Sequence, residues 1–219
     1  MSDGFNSLWP TTLLDRHLPG AEPANLALAA LIRQLEQEHR KNTQSAAQTK
    51  PSGITTDYLS QDFFSHDHPA VQWLVSCVNK STSDYLRHAG VEHDVSWSLQ
   101  AWANINRQGD YHNIHNHPHS YLSGTYYVKV PAAGAVAGSR DDLNPNAISF
   151  YDPRAQANMT AIPGDGQVDP EHRLLPVAGQ ILMWPSFLMH FVHPNLGEEE
   201  RISISFNVLT DSSALRPLQ

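Results

Sequence analysis

Cysteine is nearly missing from this chain: among 219 residues there is one, Cys77. A lone cysteine excludes an intramolecular disulfide, and this one falls in an apolar helical pattern where a buried, inert thiol is the usual occupant. Charge is sparse too. Asp, Glu, Lys and Arg make up 16% of the residues, and 14 basic against 22 acidic side chains leave a formal charge of −8. With no dense basic stripe to neutralise phosphates, nucleic acid and membrane surfaces are not expected partners. Long apolar runs are lacking as well, since the longest, Leu26 to Ile32, is far too short to span a bilayer. Met1–Gly20 shows neither a basic leader with an apolar run nor a small-residue cleavage site. A reducing, cytoplasmic setting is therefore expected. What the sequence does have is histidine: 13 residues, four of them (His112, His115, His117, His119) within eight positions. That bias points towards metal.

The length suits a single domain, residues 1–219, and its pattern changes part-way. From Pro23 to Arg40, Leu28, Leu31, Ile32 and Leu35 recur at three- and four-residue steps, which predicts an amphipathic helix. Asn42–Asp57 loses periodicity and reads as an exposed loop. A second helix is expected to open at Asp67-His68-Pro69, with Asp67 as cap, and to run through Val71, Leu74, Val78, Tyr85 and Leu86 to Gly90. Beyond Gly90 the period becomes two. Alternation at Val95–Leu99, Tyr111–His117, Gly124–Val130, Ala147–Tyr151, Gln180–Trp184 and Arg201–Leu209 predicts short strands. A mainly β core over 91–210, closed as a barrel or sandwich, with the helical 1–90 part packed on its outside, is the expected architecture. Pro131–Asn146 reads as a surface excursion or lid.

The densest local signal is Tyr111-His112-Asn113-Ile114-His115-Asn116-His117-Pro118-His119. In an extended strand, positions i and i+2 share a face, so His115 and His117 converge on one ion while His112 faces the other way and Pro118 ends the pairing. Two imidazoles are half a metal site, the ordinary alternative being partly exposed, water-bonded histidines. His66-Asp67-His68 has the same spacing, but at a helix start where nothing downstream completes a ligand set. In Arg201–Asn207, by contrast, Ile202, Ile204 and Phe206 take one face while Arg201, Ser203, Ser205 and Asn207 take the other. Such a small polar face led by one arginine fits the lining of an anion site, the alternative being a strand half in the core and half in water.

Five motifs occur in order: His-x-His, Leu122–Val128 (Leu-Ser-Gly-x-Tyr-Tyr-Val), Phe150–Arg154 (Phe-x-Asp-Pro-Arg), Trp184–His190 (Trp-Pro-Ser-x-x-x-His) and Arg201–Asn207 (Arg-Ile-Ser-Ile-Ser-Phe-Asn). Together they resemble the iron(II)/2-oxoglutarate-dependent oxygenases, and more narrowly an uncharacterised bacterial and phage branch of them. The resemblance covers about residues 90–210, and Leu8-Trp9-Pro10-Thr11 is similar to that branch's N-terminal start. It implies a double-stranded β-helix (jelly-roll, cupin-like) barrel that binds iron(II), 2-oxoglutarate and O2. It also implies iron held by a His-x-carboxylate pair and a later histidine, with an arginine about ten residues on for the far carboxylate of 2-oxoglutarate. On this chain His115 takes the first ligand position, His190 the last, and Arg201 with Ser203 the anion-binding place. His117 stands where the pattern has Asp or Glu. Either it completes a neutral three-histidine site or it stands off and leaves water at the metal. Tyr127 is placed to bond a co-substrate carboxylate if it faces inward, whereas Trp97, Trp102 and Tyr126 read as core. His119, His193 and Asp152 read as loop, surface and turn residues.

Imidazole ligands alone do not choose among zinc, copper, iron and nickel. An arginine eleven residues beyond His190 is what a bidentate 2-oxo acid needs and a zinc-bound water does not. The expected activity is hydroxylation of a small-molecule or peptide substrate that no motif identifies; oligomeric state has no signature either. Two other readings remain at this stage: a three-histidine iron dioxygenase that does not use 2-oxoglutarate, and a non-catalytic cupin-like metal- or ligand-binding protein.

Overall fold

The computed structural model describes residues 9–44, 62–131, 143–154 and 169–210. Its elements are β1 (Leu14–His17), α1 (Ala21–Gln44), a short 3-10 turn (Phe63–Ser65), α2 (Pro69–His88), β2 (Trp97–Asn106), β3 (His112–His115), β4 (Leu122–Lys129), β5 (Ile148–Tyr151), β6 (Glu171–Leu174), β7 (Gln180–Pro185), β8 (His190–Val192) and β9 (Arg201–Thr210). Both expected helices are present. Positions 45–57 of the expected loop and 132–142 of the expected excursion lie outside the described residues.

Helix α1 buries Leu28 and Ile32 completely, as their spacing requires. It is tied to the end of β2 by Glu36, which accepts from Arg40 (2.8 Å) and Arg107 (2.7 Å). The start of α2 differs from the sequence reading. His68, not Asp67, is the N-cap: its Nδ1 accepts from the Ala70 amide at 3.1 Å, while Asp67 accepts from the Gln72 side chain at 2.9 Å. Pro69 keeps its place in the first turn, where its missing N–H is harmless. No described helix is long and apolar enough to cross a membrane.

The strands form two antiparallel sheets, one in the order β1-β7-β4-β9-β2 and one in the order β3-β8-β5-β6. Among the described residues these are separate ladders, so the β architecture is a two-sheet jelly roll and not a continuously hydrogen-bonded barrel. Alternation divides the larger sheet into two faces. Ile202, Ile204, Phe206 and Val208 of β9, with Ala101, Ala103 and Ile105 of β2, pack against Leu28, Ile32, Val71, Leu74 and Val78 of the helices. On the opposite face, Tyr127, Leu182 and Trp184 meet Ile148 and Phe150 of the smaller sheet. The resulting layers are helices, large sheet, small sheet. At Gly124 the large sheet leaves no room for a side chain, because an added Cβ would lie 2.3 Å from the Phe206 ring and 2.6 Å from the Leu182 carbonyl oxygen.

Candidate active site

A cavity of about 520 Å³ opens between the two sheets. One wall is the polar face of β9 (Arg201, Ser203, Ser205, Asn207) with Trp102 of β2 and Thr125 and Tyr127 of β4; the other is His112 and His115 of β3 with His190 and Val192 of β8. His117, in the segment after β3, closes the group. All six residues singled out from the sequence (His115, His117, His190, Arg201, Ser203, Tyr127) therefore line one cavity. None of the described lining residues is Asp or Glu, and Arg201 is the only Lys or Arg among them.

His115, His117 and His190 each offer one ligand-capable nitrogen, and these three atoms all lie within 4.8 Å of one another. The Asn113 carbonyl stands 2.6 Å from His115 Nδ1 and the Leu188 carbonyl 3.1 Å from His190 Nδ1. A carbonyl can only accept, so both Nδ1 atoms carry a proton, and in the neutral ring that leaves the Nε2 lone pair free, the arrangement a metal requires of imidazole. His190 is 3% exposed and packs edge-on against Trp184 at 4.9 Å. Burial, then neighbouring His115, pushes its pKa down to about 3, so it is neutral at physiological pH. His117 stacks on Trp102, with centroids 5.6 Å apart. It too is driven down, to about 4, by burial and His115, against a hydrogen bond with Asn207 that favours its charged form.

His112 departs from the sequence reading. Strict alternation turns it away from the site, but β3 pairs His112 with Val192 and His115 with His190, three steps along one strand against two along the other. This bulge restores His112 to the cavity side, with its ring 6.4 Å from that of His115. Its Nε2 lies 3.2 Å from Asn106 Nδ2. Trp102, read as core, lines the cavity as well. The signal for Trp102 was available, since it falls on the same alternation as Asn104 and Asn106 of β2. A bulge has no comparable sequence mark.

Arg201 is 1% exposed and has no carboxylate partner among the described residues. One terminal nitrogen donates to Asn106 Oδ1 at 3.1 Å and the other reaches the His193 carbonyl at 3.4 Å, while Nε has no partner. Burial lowers its pKa to about 10, with Tyr127 and Asp110 opposing, so it remains a cation. Burial also pushes the Tyr127 hydroxyl well above its usual range. A buried guanidinium left without an anion is costly unless a ligand supplies one.

The secondary candidates stay outside the site. Asp152 binds its own turn, accepting from the Arg154 amide (2.9 Å) and guanidinium (2.6 Å). His193 Nε2 is bonded to Ser149 at 2.7 Å. His119 occupies a turn at φ +70°. Trp97 and Tyr126 face the helices, bonded to Asn79 and Asn25 respectively.

Residues 100–207 match the family model described as "Putative 2OG-Fe(II) oxygenase". This part of the chain belongs to that family. By family it is an iron(II)/2-oxoglutarate oxygenase, and the cavity, with its three clustered histidines, falls inside the matched span. Among solved structures, a Pseudomonas putida prolyl-4-hydroxylase is similar over 91% of this chain and 93% of its own, with 15% identity and a TM-score of 0.59. The non-heme alpha-ketoglutarate-dependent carbocyclase SnoK from nogalamycin biosynthesis is similar over 92% and 80%, with 12% identity and a TM-score of 0.57. At those identities the likeness bears on the fold alone, and it supports the double-stranded β-helix arrangement of the oxygenase. A search of curated proteins finds no match.

Proposed function

We propose that this oxygenase hydroxylates a C–H bond of a still unidentified substrate: 2-oxoglutarate, O2 and R–H give succinate, CO2 and R–OH. The single observation that carries the reading is Arg201, a buried cation without a carboxylate partner among the described residues, on the wall of the cavity that holds the three histidines. His115, His117 and His190 hold iron(II), the two fixed Nδ1–H tautomers presenting Nε2 to it. Arg201 and Ser203 bind the far carboxylate of 2-oxoglutarate, and Tyr127 stands beside them as a further donor. Bound iron(II) supplies the oxygen activation that couples decarboxylation of the 2-oxo acid to oxidation of the substrate.

The chain's own contribution is positioning and exclusion. Trp184 and Phe150 back His190 with apolar surface, so the histidine stays neutral and available to a cation. The described lining residues include no carboxylate to repel a dianion, and Arg201 offers it a fixed partner in a place that salt does not screen well. Anaerobic titration of the iron(II)-loaded protein with 2-oxoglutarate tests the reading. A weak visible charge-transfer band that saturates with 2-oxoglutarate, followed by succinate on admission of O2, is expected. Iron binding with neither signal would favour a three-histidine dioxygenase or a metal-binding protein instead.

A further inference from the structure

The inference concerns His112 and rests on the co-substrate reading just given. Arg201 can only donate, so the Asn106 side-chain atom 3.1 Å from it must be the oxygen. The amide's other end, the Nδ2 donor, then points at His112 Nε2, 3.2 Å away. That nitrogen must accept, which places the ring proton on Nδ1 and makes the imidazole neutral. An imidazolium at the same place would present N–H to N–H and turn the amide round, setting Nδ2 against the guanidinium. The Asn106 backbone is held as well: it is paired with Arg201 across β2 and β9, and its carbonyl accepts from Asn195 at 3.0 Å. The rotation of the Asn106 amide is therefore held from both ends, by Arg201 at the oxygen and by His112 at the nitrogen, and His112 reaches it only because of the bulge in β3.

We propose that His112 is a positioning residue for the co-substrate's far carboxylate, acting through Asn106, whose oxygen it keeps turned to Arg201 so that the guanidinium is held at the cavity wall. His112 is not a metal ligand here. Its Nε2 is already engaged by Asn106, and the histidine nitrogens that cluster are those of His115, His117 and His190.

Two readouts test this. The first needs neither metal nor co-substrate: nitrogen-15 NMR of ring-labelled metal-free protein should find His112 as the Nδ1–H tautomer, and an Nε2–H or doubly protonated ring at pH 7 overturns the relay. The second compares the iron(II)-loaded protein's dissociation constants for 2-oxoglutarate and for 2-oxobutanoate, which lacks the far carboxylate. His112→Leu should weaken 2-oxoglutarate binding about five-fold while leaving 2-oxobutanoate and iron content unchanged. His112→Gln, whose side-chain oxygen can accept from Asn106, should restore most of the loss. Equal loss for both ligands, or no loss, overturns the proposal. Should the wild type fail to distinguish the two acids, the co-substrate reading falls, and the tautomer still decides the relay.

Discussion

Replacing Arg201 with methionine removes the cation while keeping the length and much of the apolar volume of the side chain. Of the five guanidinium N–H groups, two are used within the protein, one by Asn106 and one, at 3.4 Å, by the His193 carbonyl. Three remain for a bound carboxylate. A hydrogen bond to a charged group contributes about 1.5–3 kcal/mol net, so loss of one such contact should weaken 2-oxoglutarate about ten- to a hundred-fold. Because Arg201 is 1% exposed, the contact is poorly screened, and the wild-type constant should change little between low and physiological salt. Lysine should recover only part, since a point charge lacks the planar fork. Saturation of the charge-transfer band under anaerobic conditions measures each constant. Unchanged binding in Arg201→Met, or an equal loss for an acid without the far carboxylate, would refute the assignment of Arg201 as the carboxylate anchor.

The other expectations are shorter. His190→Ala should lower bound iron strongly while the fold persists, and His66→Ala should leave iron unchanged, as metal analysis of the purified variants will tell; equal iron in both contradicts the ligand set. His117→Asp should still bind iron(II), through a shorter but anionic ligand, and similar iron in wild type and His117→Ala would remove His117 from the set. Gly124→Ala drives a methyl into Phe206 and the Leu182 carbonyl, so it should cost about 1–3 kcal/mol and several degrees of Tm; Phe206→Leu in the same chain should recover part of that, and additive losses would show that the clash is not the cause. Metal-free protein should lose stability as pH falls from 7 to 5. His112 and His190, near 3, and His117, near 4, refuse protons that the unfolded chain accepts near 6.5. A flat Tm across that window would contradict the depressed values, since the carboxylates held below their usual range also lose stability as pH falls and cannot cancel the effect.

Much of the site could be read in the sequence because one of its walls obeys a simple period. β9 alternates without exception, so Arg201 and Ser203 could be placed opposite Ile202 and Ile204 before any coordinates. His115 and His117 lie together in the cavity, as their spacing leads one to expect, and His190 stands out in Trp184–His190. His112 was misplaced because a period-two argument assumes an unbroken register, and the bulge depends on pairing with β8, a three-residue strand whose own signal is negligible. The same holds for β1 and β6, four residues each, which exist through their partners and not through composition. At α2 the misreading was local. Asp is the commoner cap, but His68 is the residue with extended backbone angles before Pro69, and its ring nitrogen does the same work.

Strand β9 gives two different selections two different sets of positions to act on. Ile202, Ile204, Phe206 and Val208 answer to the helices and the core, whereas Arg201, Ser203, Ser205 and Asn207 answer to whatever fills the cavity. A deep mutational scan scored for abundance should therefore give a sawtooth along this strand, and one scored for turnover should add the complementary teeth. Ser205 and Asn207 answer to both selections, because they also pair with buried Asn104 and Ser123 of the neighbouring strands, so a change there reshapes the cavity only where the new side chain still satisfies those partners.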